Sequence, residues 1–116
     1  MNMDDMILVS IDDHMVEPPD MFDNQVPAKW RDRVPKVVRN EFGADEWEFE
    51  GKKTSTPFGM AATVGWPSDE WGFSPATLAE MRPGCFDIHE RVRDMNANGI
   101  LASMCFPTMA GFNART

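Results

Sequence analysis

Apolar positions gather in two short runs near opposite ends of the chain, Met6-Ile7-Leu8-Val9-Ser10-Ile11 and Ile100-Leu101-Ala102-Ser103-Met104-Cys105-Phe106. The first is closed by Asp12-Asp13-His14 and the Glu17-Pro18-Pro19 break, the second by Pro107. Short apolar runs bounded by turn residues read as buried strands. We therefore expect strand 1 over about 6–13 and strand 2 over about 100–106, the latter buried on both faces. A helix is expected between them, over about 88–98. Ile88, Val92 and Met95 fall on one face at helical spacing. Asp87 stands at the N-cap with Glu90 three residues on, a capping-box pattern. Asn98-Gly99 is a C-terminal stop. Strand, connection, helix, strand is βαβ logic, which pairs the two strands in parallel.

The connection from about 17 to 86 has a different texture. Pro18, Pro19, Pro27 and Pro35 break the stretch from Glu17 to Phe42. One short helix is expected at Pro27-Ala28-Lys29-Trp30-Arg31, with proline in its first turn and Pro35 ending it near Val34. Val37-Val38 can start a strand. Trp47-Glu48-Phe49-Glu50 alternates apolar and polar, turns at Gly51 and runs on through Thr54, which predicts a small β-hairpin. From Pro57 to Pro83 the glycines and prolines predict loop, with a helical turn at Pro75–Met81. There is no internal repeat and no low-complexity tract.

Composition narrows the functional classes. The 116 residues carry a net charge of -8, opposite to the basic footprint that nucleic-acid binding needs. No apolar stretch approaches the ~18 residues of a membrane span, and the first residues are acidic where a secretory leader would be basic. These features together predict a cytoplasmic protein. Cys105 lies in an apolar run and is expected as a buried thiol; Cys85 follows Pro83-Gly84 in a turn. Neither a disulfide nor a cysteine metal site is expected of the pair.

The chemistry concentrates at the end of strand 1. Side chains alternate along a strand, so Asp12 and His14 are expected on one face and Asp13 on the other, paired with a helix. A carboxylate and an imidazole side by side are half of a metal site, and zinc accepts both at about 2.0–2.2 Å. The plainer reading is that His14 caps the strand end and bonds to Asp12 or the backbone. Glu17 is either a partner orienting the His14 ring or a loop carboxylate facing water. Arg82 either meets a substrate carboxylate or forms a structural salt bridge. His89, on the first helical turn, is expected at the surface.

Three segments carry a resemblance to a known family. They are Ser10–Phe22 (Ser-Ile-Asp-Asp-His-Met-Val-Glu-Pro-Pro-Asp-Met-Phe), Pro27–Val38 (Pro-Ala-Lys-Trp-Arg-Asp-Arg-Val-Pro-Lys-Val-Val), and the stretch from Met81-Arg82-Pro83-Gly84-Cys85 to Phe106-Pro107-Thr108. In this order they resemble the N-terminal part of the amidohydrolase-related family of metal-dependent hydrolases, a branch that also holds nonoxidative decarboxylases. The family usually has H-x-H or E-x-H where this chain has Asp12-Asp13-His14. The resemblance implies an α/β fold, the N-terminal third or so of a metal-dependent (β/α)8 barrel with a loop-rich insertion containing a small β-hairpin. A complete barrel needs roughly 200–250 residues or more.

It further implies a divalent metal, zinc foremost, held by Asp12 and His14. The implied activity is attack of metal-activated water on a small-molecule amide, ester or lactone. The alternative is metal-dependent decarboxylation of an aromatic or related carboxylic acid. Later strands supply the remaining ligands in this superfamily, so the 116 residues alone are expected to be inactive. They are also expected to form a homo-oligomer or to associate with the missing barrel segments. The competing expectation from another class is a noncatalytic fragment or interaction module. In that case Trp47, Phe49, Phe58, Trp66, Trp71 and Phe73 would form a small core or a sticky surface.

Overall fold

The computed structural model describes residue 2 and residues 5–53, 62–72 and 74–108. Strand β1 (Leu8–Met15) and strand β5 (Ile100–Pro107) form a parallel two-stranded sheet, connected at its second strand through helix α1 (Ile88–Ala97). A second, antiparallel sheet holds β2 (Lys36–Arg39), β3 (Asp45–Phe49) and β4 (Lys52–Lys53) in that order. The remaining described segments carry short 3-10 turns at Ala28–Arg33, Ser68–Glu70, Leu78–Glu80 and Pro83–Cys85.

The parallel β1–β5 pairing is the one the two apolar runs predict. β1 begins two residues later than expected and extends through His14 and Met15, so His14 lies within the strand. The pairing is irregular: Leu8 faces Ile100, Val9 faces Ala102, Ser10 faces Ser103, and Asp13 faces Cys105. Leu101 is therefore an extra residue on β5, and Ile11 with Asp12 opposes Met104 alone on β1. The second irregularity restores the register that the first displaced.

α1 starts where its cap predicts. The Asp87 carboxylate accepts from the amides of His89 (2.8 Å) and Glu90 (3.1 Å). The Glu90 carboxylate takes a hydrogen bond from Arg93 at 2.5 Å, and the Asp87 amide donates to the Pro83 carbonyl at 2.8 Å. Asp87 thus caps the helix while the Pro83–Cys85 turn serves its own amide. At the far end the Asn98 side chain donates to the Asp94 carbonyl at 2.8 Å. α1 also forks onto the preceding turn. Arg82 Nε and Nη2 donate to the two Asp94 carboxylate oxygens at 2.7 and 2.5 Å. Gly84 lies directly against that carboxylate, where a Cβ would overlap Asp94 Oδ2.

The predicted hairpin is present and larger than expected. Glu50 and Gly51 both have positive φ (49° and 76°), the geometry of a tight two-residue turn that glycine makes cheap. β2 joins as a third strand, and its charges match those of β3. Lys36 faces Glu48, Arg39 faces Asp45, and the Lys53 ammonium meets Glu46 at 2.6 Å. Opposite charges directly across a sheet support the pairing. The Thr54 end of the expected hairpin, and Phe58 and Phe73, lie outside the described residues.

The core does not form where the apolar runs predict it. Val16, Trp47, Ala62, Met81 and Cys85 are buried, with Phe22, Val37, Leu78 and Phe86 packed around them. Trp47 is 2% exposed and meets Phe22 edge to face, with centroids 6.4 Å apart. Asp45 fastens β3 to the loop beyond it: its amide donates to the Ala76 carbonyl (2.8 Å), and its carboxylate accepts from the Leu78 amide (2.9 Å). The Val16 amide donates to the Cys85 carbonyl at 2.9 Å, docking the end of β1 on the same cluster.

β1 and β5, by contrast, are not buried. Ile11 is 72% and Leu101 70% exposed. α1 packs on the sheet, and no second layer covers its other face among the described residues. The helix face expected to be buried is likewise open at Ile88 and Val92. Cys105, expected as a buried thiol, is exposed, while Cys85, in the turn where it was expected, is buried. Cys85 sits in the turn that carries the core cluster, whereas Cys105 lies on the thinly covered sheet. Burial pushes the Cys85 thiol up. The radius of gyration is 16.2 Å, against about 13 Å for a close-packed domain of this length.

Candidate functional site

β1 places Asp12 and His14 toward the carboxyl end of the parallel pair, the end that carries chemistry in parallel α/β folds. Their side chains converge as the i, i+2 spacing predicts, with His14 Nε2 4.0 Å from Asp12 Oδ1. Both are open to solvent, the Asp12 side chain at 80% and that of His14 at 45%. The His14 ring is bounded by Phe106, its register partner on β5, at a centroid distance of 6.0 Å and an interplanar angle of 43°. An exposed carboxylate and an imidazole steadied by one aromatic neighbour can both turn their lone pairs to one cation.

The pair fits a metal in donor type. Two ligands of a tetrahedral zinc, each about 2.0–2.2 Å from the ion, stand about 3.4 Å apart. The observed 4.0 Å separation is longer than that, so a side-chain rotation would be needed to bring both atoms onto one ion. The number of donors falls short of a complete site. Among the described residues no group of three or more His, Cys, Asp or Glu side chains could hold an ion.

Asp13 is set away from this pair, as expected. Its carboxylate accepts from the Ser103 hydroxyl and pairs with Arg91 of α1 at 3.1 Å. The Ser103 hydrogen bond above all, aided by Ser10 and Arg91, holds the Asp13 carboxyl below its usual range against the opposing effect of burial. Ser103 also lies 3.4 Å from Cys105 Sγ.

Glu17 accepts from the Thr108 amide at 3.0 Å, while the Thr108 hydroxyl donates to the Met15 carbonyl at 2.9 Å. Glu17 therefore ties the chain just after β1 to the chain just after β5. Arg82 has its guanidinium forked onto Asp94, which is the structural salt bridge of the two roles considered for it. His89 is exposed on the first turn of α1.

Ser103 is not distinguished by the sequence. Its signal there is faint, a lone hydroxyl in an apolar run, and its role needs the register to become visible. A cavity of about 420 Å³ lies on the helix side, lined by Asp13, Arg82, Cys85, Arg91 and Asp94 among others. Its charges are paired with one another, and neither Asp12 nor His14 lines it. No protein-family model matches the chain, and no curated protein matches it. No helix among the described residues is long and apolar enough to cross a membrane.

Proposed function

We propose that this chain supplies the first strand–helix–strand unit of a metal-dependent hydrolase of the amidohydrolase kind. In this reading Asp12 and His14 are two of the ligands of a catalytic divalent metal, with zinc the best match to an imidazole and carboxylate pair. The observation that carries the reading is the convergence of Asp12 and His14 at the carboxyl end of a parallel strand pair linked through α1. The order of motifs along the chain supports the same family. A zinc ion held there would supply activated water at neutral pH, suited to opening an amide, ester or lactone.

Each residue then has a stated task. Asp12 contributes negative charge and an oxygen donor, and His14 contributes neutral nitrogen. Phe106 limits the swing of the His14 ring. Glu17 joins the two strand ends that frame the site. Catalytic zinc usually keeps three protein ligands, so two donors hold it weakly, and turnover needs further donors beyond this pair.

Titrating zinc into the protein against a competing chelator tests the assignment. We expect weak binding of one ion, lost in His14→Ala. Equal affinity in the wild type and in His14→Ala would remove His14 from the site and end this reading.

A further inference from the structure

We propose that Asp13 and Ser103 form a staple that fixes the bulge in β1, and that this staple is what keeps Asp12 and His14 on the face turned away from α1. The functional side of the inference rests on the metal-site reading above; its geometric side rests on the strand register alone.

The bulge lies at the candidate ligand itself. Ser10 faces Ser103 and Asp13 faces Cys105, so Ile11 and Asp12 share one opposing residue, Met104. Bulges re-aim side chains and recur beside functional sites. This one is spanned by a single side chain. Asp13 stands after the bulge, yet its carboxylate reaches back to Ser103, the residue that faces Ser10 before it. Arg91 of α1 grips the same Asp13 oxygen at 3.1 Å. The carboxylate thus ties β1, β5 and α1 together at the extra residue.

Relaxing the bulge has a defined consequence. Regular pairing continued from Ser10 and Ser103 would bring Asp12 opposite Cys105 and Asp13 opposite Phe106. A one-residue slip turns every following side chain to the other face. Asp12 and His14 would then turn toward α1, and Asp13 would leave Arg91. The staple opposes this slip, so Asp13 and Ser103 are positioning residues for Asp12 and His14 and touch no ligand themselves.

The test uses Ser103→Thr and Ser103→Val, two β-branched residues of equal shape that differ in the hydroxyl. Both suit a strand, so either fold is expected to survive. Zinc affinity by chelator competition is read together with amide hydrogen exchange at residues 11–14, with His14→Ala as the control. We expect Ser103→Thr to match the wild type. Ser103→Val should lose about tenfold in zinc affinity, the lower end of what removing an orienting group costs. Its exchange should quicken at residues 11–14 and stay unchanged in the β2–β3–β4 sheet.

Equal zinc affinity and equal exchange in the two variants would overturn the proposal. Should the wild type bind no zinc, the metal reading fails, and the exchange comparison decides the staple on its own: faster exchange in Ser103→Val upholds it, and identical exchange overturns it.

Discussion

In the antiparallel sheet, β3 reads Asp-Glu-Trp-Glu-Phe, three acids in five residues, yet it holds the most deeply buried large side chain of the described molecule, Trp47. In the parallel sheet, β1 and β5 come from the two most apolar runs, yet Ile11 and Leu101 stand open to solvent. The difference lies in what packs on each sheet. Around β3, Phe22, Val37, Leu78 and Met81 close over one indole, and the acids face basic partners across the strands. Around β1 and β5 one helix covers one face. Apolar sequence reports what a strand is suited to pack against; burial reports what is there to pack against it.

Replacing Trp47 should expose this contrast most strongly. Trp47→Ala removes the centre of the packed cluster and should cost about 3–5 kcal/mol, read as a loss of stability in urea. A cost under about 1 kcal/mol would mean that the cluster is not what holds the second sheet.

Acid comes next. Asp13 is held low chiefly by the Ser103 hydroxyl, Asp87 by the Glu90 and His89 amides, and Asp94 by Arg82. Carboxyls with lowered folded values stabilise fully above their unfolded range near 4, and that contribution is lost as pH falls through the lower folded values. All three belong to the β1–α1–β5 unit, whereas in the second sheet, among the described residues, only the Glu46 carboxyl is lowered, through Lys53. Acid titration should therefore melt the helical circular-dichroism signal at a higher pH than it changes the tryptophan fluorescence. Coincident transitions would show that the two regions unfold as one.

Gly84→Ala should have a middling effect, about 1–2 kcal/mol, since its Cβ displaces the Asp94 carboxylate from Arg82. Asp94→Ala in the same background should recover the overlap part of that loss. Leu101→Ala should change stability least, by less than about 1 kcal/mol, because little of the side chain leaves water. A cost of about 2 kcal/mol or more would show this face covered in solution. Light scattering must then give a mass above the 13.1 kDa of one chain.

The sequence made elements legible where local chemistry decides them. Asp87 and Asn98-Gly99 mark the ends of α1, Glu50-Gly51 makes the hairpin turn, and Pro35 closes the turn at Ala28–Arg33. The convergence of Asp12 and His14 followed from strand alternation. What escaped the sequence depends on distant residues. The core around Val16, Trp47 and Cys85 joins segments with no shared periodicity. The strand at Val37-Val38 was legible, but its antiparallel pairing with β3, with Lys36 facing Glu48 and Arg39 facing Asp45, was not. Ser103 gains its role only once β5 lies beside β1 in one particular irregular register. Exposure of Ile11, Leu101 and Cys105 is invisible to periodicity, which measures a preference.

The β1–β5 pairing also sets an order of events in folding. Asp13 and Ser103 are 90 positions apart, and closing a loop of that length costs about 4 kcal/mol of chain entropy. β2 and β3 are joined by a five-residue turn, so they can meet early and cheaply. During synthesis at about 5–20 residues per second, β1 must wait roughly 5–20 s before β5 exists to pair with it. For that interval the Met6–Ile11 run is an unpaired apolar strand, and the nascent chain is most open to chaperone capture before residue 100 has left the ribosome.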